Sequence, residues 1–325
     1  MFWSWFYMGK HVNKMGDETL KTAWIFPGQG SQYIRMGEDL YERSELAKEY
    51  FKISKEILGF DIQTIISDGP EELLNKTKYT QPSIFITSVI IGKILIERGL
   101  QPFAVAGHSL GEYSALTVSN SVSFEKGLEL VKVRSESMEK AGHLQNGTMA
   151  AIVGLEENEV QLICSSYKGE GLVVIANHNS PKQIVVSGTS DAVIETIEKA
   201  KNQGARLALE LKVSGAFHSP LMNPAKEALA KVLDSINFKD PQYPVFNNVN
   251  GKPIFLGDKI RNSLLEQLEK PVLWTKSIFE MKNFGVESFL EVGPGKVLQG
   301  LNKRIDRSLI SDGVDSLNKM DSFFV

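Results

Sequence analysis

One cysteine, Cys164, stands in 325 residues. That excludes an internal disulfide and a thiolate-bound metal cluster, and it suits a reducing compartment, so the expected location is the cytoplasm. Histidine is also scarce: His11, His108, His143, His178 and His218 are the full set. A histidine-dependent enzyme would have to take its base from these five. No apolar run approaches the ~20 residues of a membrane helix. The longest, Pro82–Ile96, is interrupted by Thr87, Ser88 and Lys93. An excess of positive charge is missing too, with 36 Lys and Arg against 39 Asp and Glu, a net charge of −3. That balance argues against a nucleic-acid protein. What is there is ordinary globular composition, 42% hydrophobic and 23% charged, without repeats or low-complexity tracts. At ~150 residues per domain the length suggests about two domains.

The ends differ from the middle. Met1–Met8 is apolar and aromatic, with no basic residue ahead of it and no small-residue cleavage pattern behind it, unlike a signal peptide. It lacks arginine, and Asp17 and Glu18 follow, unlike a transit peptide. Residues 1–20 are expected to be a disordered extension, with Met8 and Met15 as alternative starts. After Arg304 the chain turns polar, and residues 306–325 are expected to form a loosely held tail.

Helical patterns alternate with short apolar runs in between. Lys21–Phe26 reads as a buried strand that enters a Gly/Pro turn at Pro27–Gly30, and helical patterns follow at Glu42–Leu58 and Pro82–Arg98. Phe103–Gly107 resembles a central parallel strand, and Leu110–Ser119 and Ser123–Ala141 read as helices. Further on the rhythm changes. Thr148–Val153, Leu172–Ala176, Gln183–Gly188 and Arg206–Leu211 read as strands. Glu157–Ser165 and Ser190–Asn202 read as helices, the second with Ser190 as its N-cap. That order, βαββαβ, predicts a ferredoxin-like unit. Phe289–Val292 is one more buried strand. The expected fold is α/β: a large α/β-hydrolase-like domain over 21–143 and 215–305, interrupted by a small ferredoxin-like subdomain over 144–214.

Gly107-His108-Ser109-Leu110-Gly111 fits G-x-S-x-G, with a strand entering and a helix leaving. Flanking glycines permit the sharp turn that lifts a serine hydroxyl above the sheet edge. The backbone N–H of Leu110, at the helix start, can then face a developing oxyanion. The serine needs a base. His11 lies in the extension, and His108 adjoins the serine on a tight turn, where neighbours point apart, which suits packing or a backbone hydrogen bond. His143 falls in a polar loop and His178 in the turn-rich Asn177–Pro181. His218, in Ala216-Phe217-His218-Ser219-Pro220, follows the small unit and is the best base by elimination. No metal motif competes: H-E-x-x-H and C-x-x-C are both absent. Gly293–Lys296 fails as a P-loop, because Leu290 and Val297 occupy the required Gly and Ser/Thr positions.

Arg134 is the informative charge. It falls on the apolar stripe Leu130/Val131, Met138, Ala141 of its helix, the face that points inward. A buried arginine needs an anionic partner. Two readings remain open: an internal ion pair with a protein carboxylate, or a bidentate fork for a substrate carboxylate.

These residues resemble a known family, the malonyl-CoA:acyl carrier protein transacylases of fatty acid and polyketide synthesis. The resemblance covers about Thr22 to Arg304. It rests on Phe26-Pro-Gly-Gln-Gly-Ser-Gln32, Gly107-His-Ser-Leu-Gly-Glu-Tyr-Ser-Ala115, Arg134 at 25 residues past Ser109, Asn179-Ser-Pro181, Ala216-Phe-His-Ser-Pro-Leu-Met222, Pro271-Val-Leu-Trp274 and Glu291-Val-Gly-Pro-Gly-Lys296. It implies Ser109 as the acyl-carrying nucleophile and His218 as its base. The N–H groups of Gln29 and Leu110 would form the oxyanion hole, and Arg134 would grip the malonyl carboxylate. The backbone carbonyl of Gln267 would orient the histidine in place of an acid. Asn179, Phe217, Met138 and His108 would line the cleft.

The implied reaction is ping-pong transfer of malonyl from malonyl-CoA to the phosphopantetheine arm of acyl carrier protein, with no metal or tightly bound organic cofactor. Nucleic acid and membrane are not expected partners, and a monomer is expected. Lys182, Lys296, Lys303 and Arg304 are candidates for a basic rim that receives the acidic carrier. The alternatives are a serine hydrolase that removes acyl groups from carrier proteins, a discrete polyketide-synthase acyltransferase, or a non-catalytic docking module. An α/β-hydrolase acid would have to be Asp191 or Asp234, and neither is well placed in the chain.

Overall fold

The computed structural model describes residues 20–324. Met1–Met8, His11, the alternative starts and nearly all of the expected N-terminal extension lie outside them.

Among the described residues ten strands form two sheets. They are β1 (Thr22–Phe26), β2 (Ala104–Gly107), β3 (Gly147–Val153), β4 (Val173–Ser180), β5 (Gln183–Thr189), β6 (Leu207–Glu210), β7 (Val245–Phe246), β8 (Pro253–Ile254), β9 (Ser288–Val292) and β10 (Ile310–Val314). The larger sheet runs β10-β9-β1-β2-β7-β8, with β8 antiparallel to β7 and every other pair parallel. Parallel strands covered on both faces are apolar throughout, and β1 shows why. Ala23 and Ile25 face Trp274, Ile278 and Leu298, while Trp24 and Phe26 face the opposite core with Ile90 and Leu116.

The second sheet, β4-β5-β3-β6, is antiparallel throughout. Helices Glu157–Ser165 and Ser190–Asn202 contribute to a separate core with Ala150, Ile152, Val160, Val186 and Val193. Cys164 lies in that core, where burial pushes its thiol up to about 11. The two sheets are tied where β4 meets the segment before helix Trp274–Phe284. His178 N–H donates to the Val272 carbonyl, and Val272 N–H to that of Ala176, both at 2.9 Å.

Several expectations are corrected. The pattern at 42–58 is two helices, Glu38–Arg43 and Glu45–Leu58, because Ser44 breaks into extended backbone and caps the second. The next helix starts at Thr77 rather than Pro82 and carries the proline inside it. This Thr77–Glu97 helix has the length and apolarity to cross a membrane, but 83% of its apolar window is buried, and it is a core helix here. Asn177–Ser180, read as a turn, is the bulged end of β4. His143 lies in the last turn of helix Phe124–Leu144 rather than in a loop. Ser190 is the first helical residue, and Thr189 holds the N-cap position.

The expected loose tail is instead ordered. β10 pairs with β9, and a short helix, Leu317–Asp321, packs back, with Asp321 accepting from both Arg43 and Arg98. Its polarity fits β10 being an edge strand, with Ile310 and Asp312 exposed and Val314 alone buried.

Candidate active site

Ser109 occupies the turn between β2 and helix Gly111–Val118. Its backbone is left-handed, with φ of 51°, a strained conformation for a residue bearing a side chain. The turn closes only because its flanks lack side chains. A Cβ on Gly107 would meet the carbonyl carbon of Gly111 at 1.8 Å, and one on Gly111 would meet the Phe26 oxygen at 2.0 Å. Gly28 similarly lies against the His108 carbonyl, where a Cβ would sit 2.4 Å from the oxygen, and this brings the Gln29 loop beside the serine. Among the described residues the backbone N–H groups of Gln29 and Leu110 make no hydrogen bond, as an oxyanion hole requires.

His218 also has positive φ, 56°, and its ring is buried. Its Nε2 lies 2.8 Å from Ser109 Oγ, and its Nδ1 donates to the Gln267 carbonyl oxygen at 2.7 Å. Burial, followed by the positive charge of Arg134, holds the imidazole down at about 3, so it is neutral at pH 7 and free to accept a proton. The remaining candidates are occupied elsewhere. His178 Nδ1 faces Glu157 at 3.0 Å, and Asp234 accepts from Arg261. The His108 ring packs, as expected, and it also makes a side-chain hydrogen bond. Its Nε2 meets Asn179 Oδ1 at 2.8 Å across the boundary between the two sheets, beside the Trp274 ring.

Arg134 is buried, and its hydrogen bonds go to neutral groups. Its Nη1 donates to Gln81 Oε1 at 2.7 Å, and its Nη2 to Ser109 Oγ at 2.9 Å and Gln267 Oε1 at 3.1 Å. Nε has no partner, and the guanidinium lies over the Tyr113 ring. Among the described residues no carboxylate is in ion-pair contact with it. A direct internal ion pair is therefore not formed, and the guanidinium reaches the Ser109 hydroxyl. Met138 lines the same wall, with its sulfur 3.6 Å from Gln81 Nε2, and Phe217 is buried in the core beside His218.

The Acyl transferase domain family matches residues 23–314, nearly everything described. The chain belongs to that family. Among curated relatives, the malonyl CoA-acyl carrier protein transacylase of Bacillus subtilis is 42% identical, over 89% of this chain and 92% of its own. The solved malonyl CoA-acyl carrier protein transacylase of Coxiella burnetii superposes with a TM-score of 0.90 at 35% identity, covering 94% of this chain and 98% of that one. A second structure, of a type II polyketide synthase acyl-carrier protein in complex with its malonyl-transacylase, gives 0.89 at 38% identity, covering 93% and 98%.

Three residues of this acyltransferase site escaped the sequence reading. Asn248 takes the Ser109 N–H on its Oδ1 at 2.6 Å and donates to the Gly107 carbonyl at 2.7 Å, bracing both sides of the turn. Gln81 holds the guanidinium. Glu112, inside the recognised motif, is 1% exposed and accepts from Gln267 Nε2 and the Asn248 backbone N–H. No spacing rule marks the first two, and only burial distinguishes the third from an ordinary acidic residue in a first helical turn.

Proposed function

We propose that this chain transfers the malonyl group of malonyl-CoA to the phosphopantetheine thiol of an acyl carrier protein, through a malonyl ester on Ser109. The observation that carries this reading is the Arg134 guanidinium, buried, without a carboxylate in contact among the described residues, and 2.9 Å from Ser109 Oγ. An acyl group whose far end bears a carboxylate pairs that buried cation bidentately, and an uncharged acyl group leaves it unpaired.

In the first half-reaction Ser109 Oγ attacks the thioester carbon while its proton passes to His218 Nε2. The developing oxyanion faces the N–H groups of Gln29 and Leu110, and the Gln267 carbonyl steadies the charge forming on the imidazole. The C–S bond breaks, and His218 returns the proton to the CoA sulfur. In the second half the pantetheine thiol gives its proton to His218 and attacks the serine ester, and Ser109 recovers a proton as it leaves. Neither half needs a metal or an organic cofactor.

The fold supports the same reading. We regard the unit carrying the strand–turn–helix at Ser109 as α/β-hydrolase-like, and the four-stranded unit, with its order β4-β5-β3-β6, as ferredoxin-like. For the acidic carrier, Lys303 and Arg304, in the last turn of helix Val297–Ile305, make no ion pair among the described residues, whereas Lys182 is engaged by Glu156. The polyketide-synthase structure with its bound carrier protein supports this class of partner.

Intact mass after mixing with malonyl-CoA tests the proposal. A malonyl adduct is expected on the wild type and not on Ser109→Ala, and holo carrier protein should discharge it. Steady release of CoA into water with no adduct and no loading of the carrier would identify a hydrolase instead.

A further inference from the structure

The buried carboxylate of Glu112 has no cation in contact among the described residues, yet it ends a hydrogen-bonded relay that begins at the substrate clamp. Arg134 Nη2 donates to Gln267 Oε1 at 3.1 Å, and Gln267 Nε2 donates to Glu112 Oε2 at 2.8 Å. One amide therefore carries the guanidinium on its oxygen and the carboxylate on its nitrogen. Glu112 also holds Asn248 N–H, and through Asn248 and Gln267 it reaches the Ser109 amide, the Ser109 carbonyl and the residue that orients His218. Both bonds converge on Oε2, and the Ser263 hydroxyl faces the same carboxylate.

We propose that Glu112 is a positioning residue of the transfer, acting on Arg134 through Gln267: it balances the guanidinium in the empty site and takes up a proton when an acyl carboxylate arrives there. The inference rests on malonyl as the acyl group. With malonyl on Ser109, the buried Arg134 guanidinium faces two carboxylates. Repulsion between two anions that share one cation is relieved when one of them becomes neutral. Glu112 is the one able to do so, because the malonyl carboxylate takes the fork directly. The proton comes from bulk solvent and goes to the Glu112 carboxylate; no bond to carbon changes. The groups facing Glu112 are Arg134 from helix Phe124–Leu144, Gln267 and Ser263 from helix Ile260–Gln267, Asn248 from the turn after β7, and Tyr113 from its own helix. Burial lifts Glu112 to about 7, in the range where such a change can occur.

The acylation half-reaction is itself proton-neutral near pH 7, since the serine proton leaves on the CoA thiol. A pH-indicator dye in weak buffer, read alongside intact mass, therefore isolates the Glu112 proton. Wild-type enzyme acylated by malonyl-CoA is expected to take up about half a proton per adduct at pH 7 and almost none at pH 5.5, where Glu112 is already protonated. Glu112→Gln is expected to take up none at either pH. Complete adduct without uptake by the wild type at pH 7 overturns the proposal, as does equal uptake by Glu112→Gln. If that variant does not fold, the wild-type contrast between the two pH values decides alone. Absence of any wild-type malonyl adduct would overturn malonyl transfer itself, and this inference with it.

Discussion

His218 Nδ1 donates to the backbone carbonyl of Gln267 at 2.7 Å, so the base is oriented by an atom that no side-chain substitution can delete. The Gln267 side chain works separately, on Arg134, Glu112 and the Ser109 carbonyl. Gln267→Ala therefore keeps the acceptor for His218 and removes its supports. Losing these bonds is worth ~1.4 kcal/mol, about tenfold in kcat/KM for malonyl-CoA. Single-turnover acylation should still proceed. A loss as deep as that of His218→Ala would show that the carbonyl does not hold its place without the side chain.

Arg134→Ala removes the buried cation but neither member of the Ser109–His218 pair. Losing one partner of a buried charge pair costs roughly 3 kcal/mol or more, so kcat/KM for malonyl-CoA should fall by at least ~100-fold. Uncharged acyl-CoAs should lose less and gain in relative terms. A panel of acyl-CoAs differing in the terminal carboxylate measures the ratio, and an unchanged ratio would remove the clamp role.

Two buried groups give stability opposite dependences on pH. Burial and then Arg134 hold His218 at about 3, below the 6.5 of a free histidine. Between those values the unfolded chain binds a proton that the folded chain refuses, so stability falls as pH drops from 6.5 toward 3. Burial raises Glu112 from 4.5 to about 7, so there the folded chain binds the extra proton and stability rises as pH drops from 7 to 4.5. The two contributions oppose each other between 4.5 and 6.5, and the histidine acts alone below that window. Thermal melts should show His218→Gln losing less stability than wild type below pH 4.5. Parallel slopes there would remove His218 as the source.

The Ser109–His218 pair was legible because such a pair has local signatures. Ser109 sits in a glycine-flanked motif between an apolar strand and a helix, and His218 emerged from a list of five. Arg134 declared itself by interrupting an apolar stripe, although the sequence left its partner undecided; among the described residues its hydrogen-bond partners are Gln81, Ser109 and Gln267. Asn248 was not legible. It follows a two-residue strand and meets Ser109 across 139 positions, with no periodicity to betray it. Gln267 orients His218 through a backbone oxygen, which leaves no mark on residue type, so only the family resemblance pointed to it. Among the strands, edge exposure or a bulge dilutes the alternation of β10 and of the end of β4, and both were misread; among the helices the errors were in boundaries and caps.

The position of β1 has a consequence for synthesis. Its neighbours in the sheet are β2, which follows it by about eighty residues, and β9, which lies near the far end of the described chain. One edge of β1 therefore stays without its partner until β9 has been made, well after Ser109, His218 and the four-stranded unit. On a ribosome the local α/β pieces and the antiparallel sheet can form early, but the floor of the active site closes late. Chains released before β9 would present an unpaired apolar strand edge, the kind of surface that aggregates or needs a chaperone.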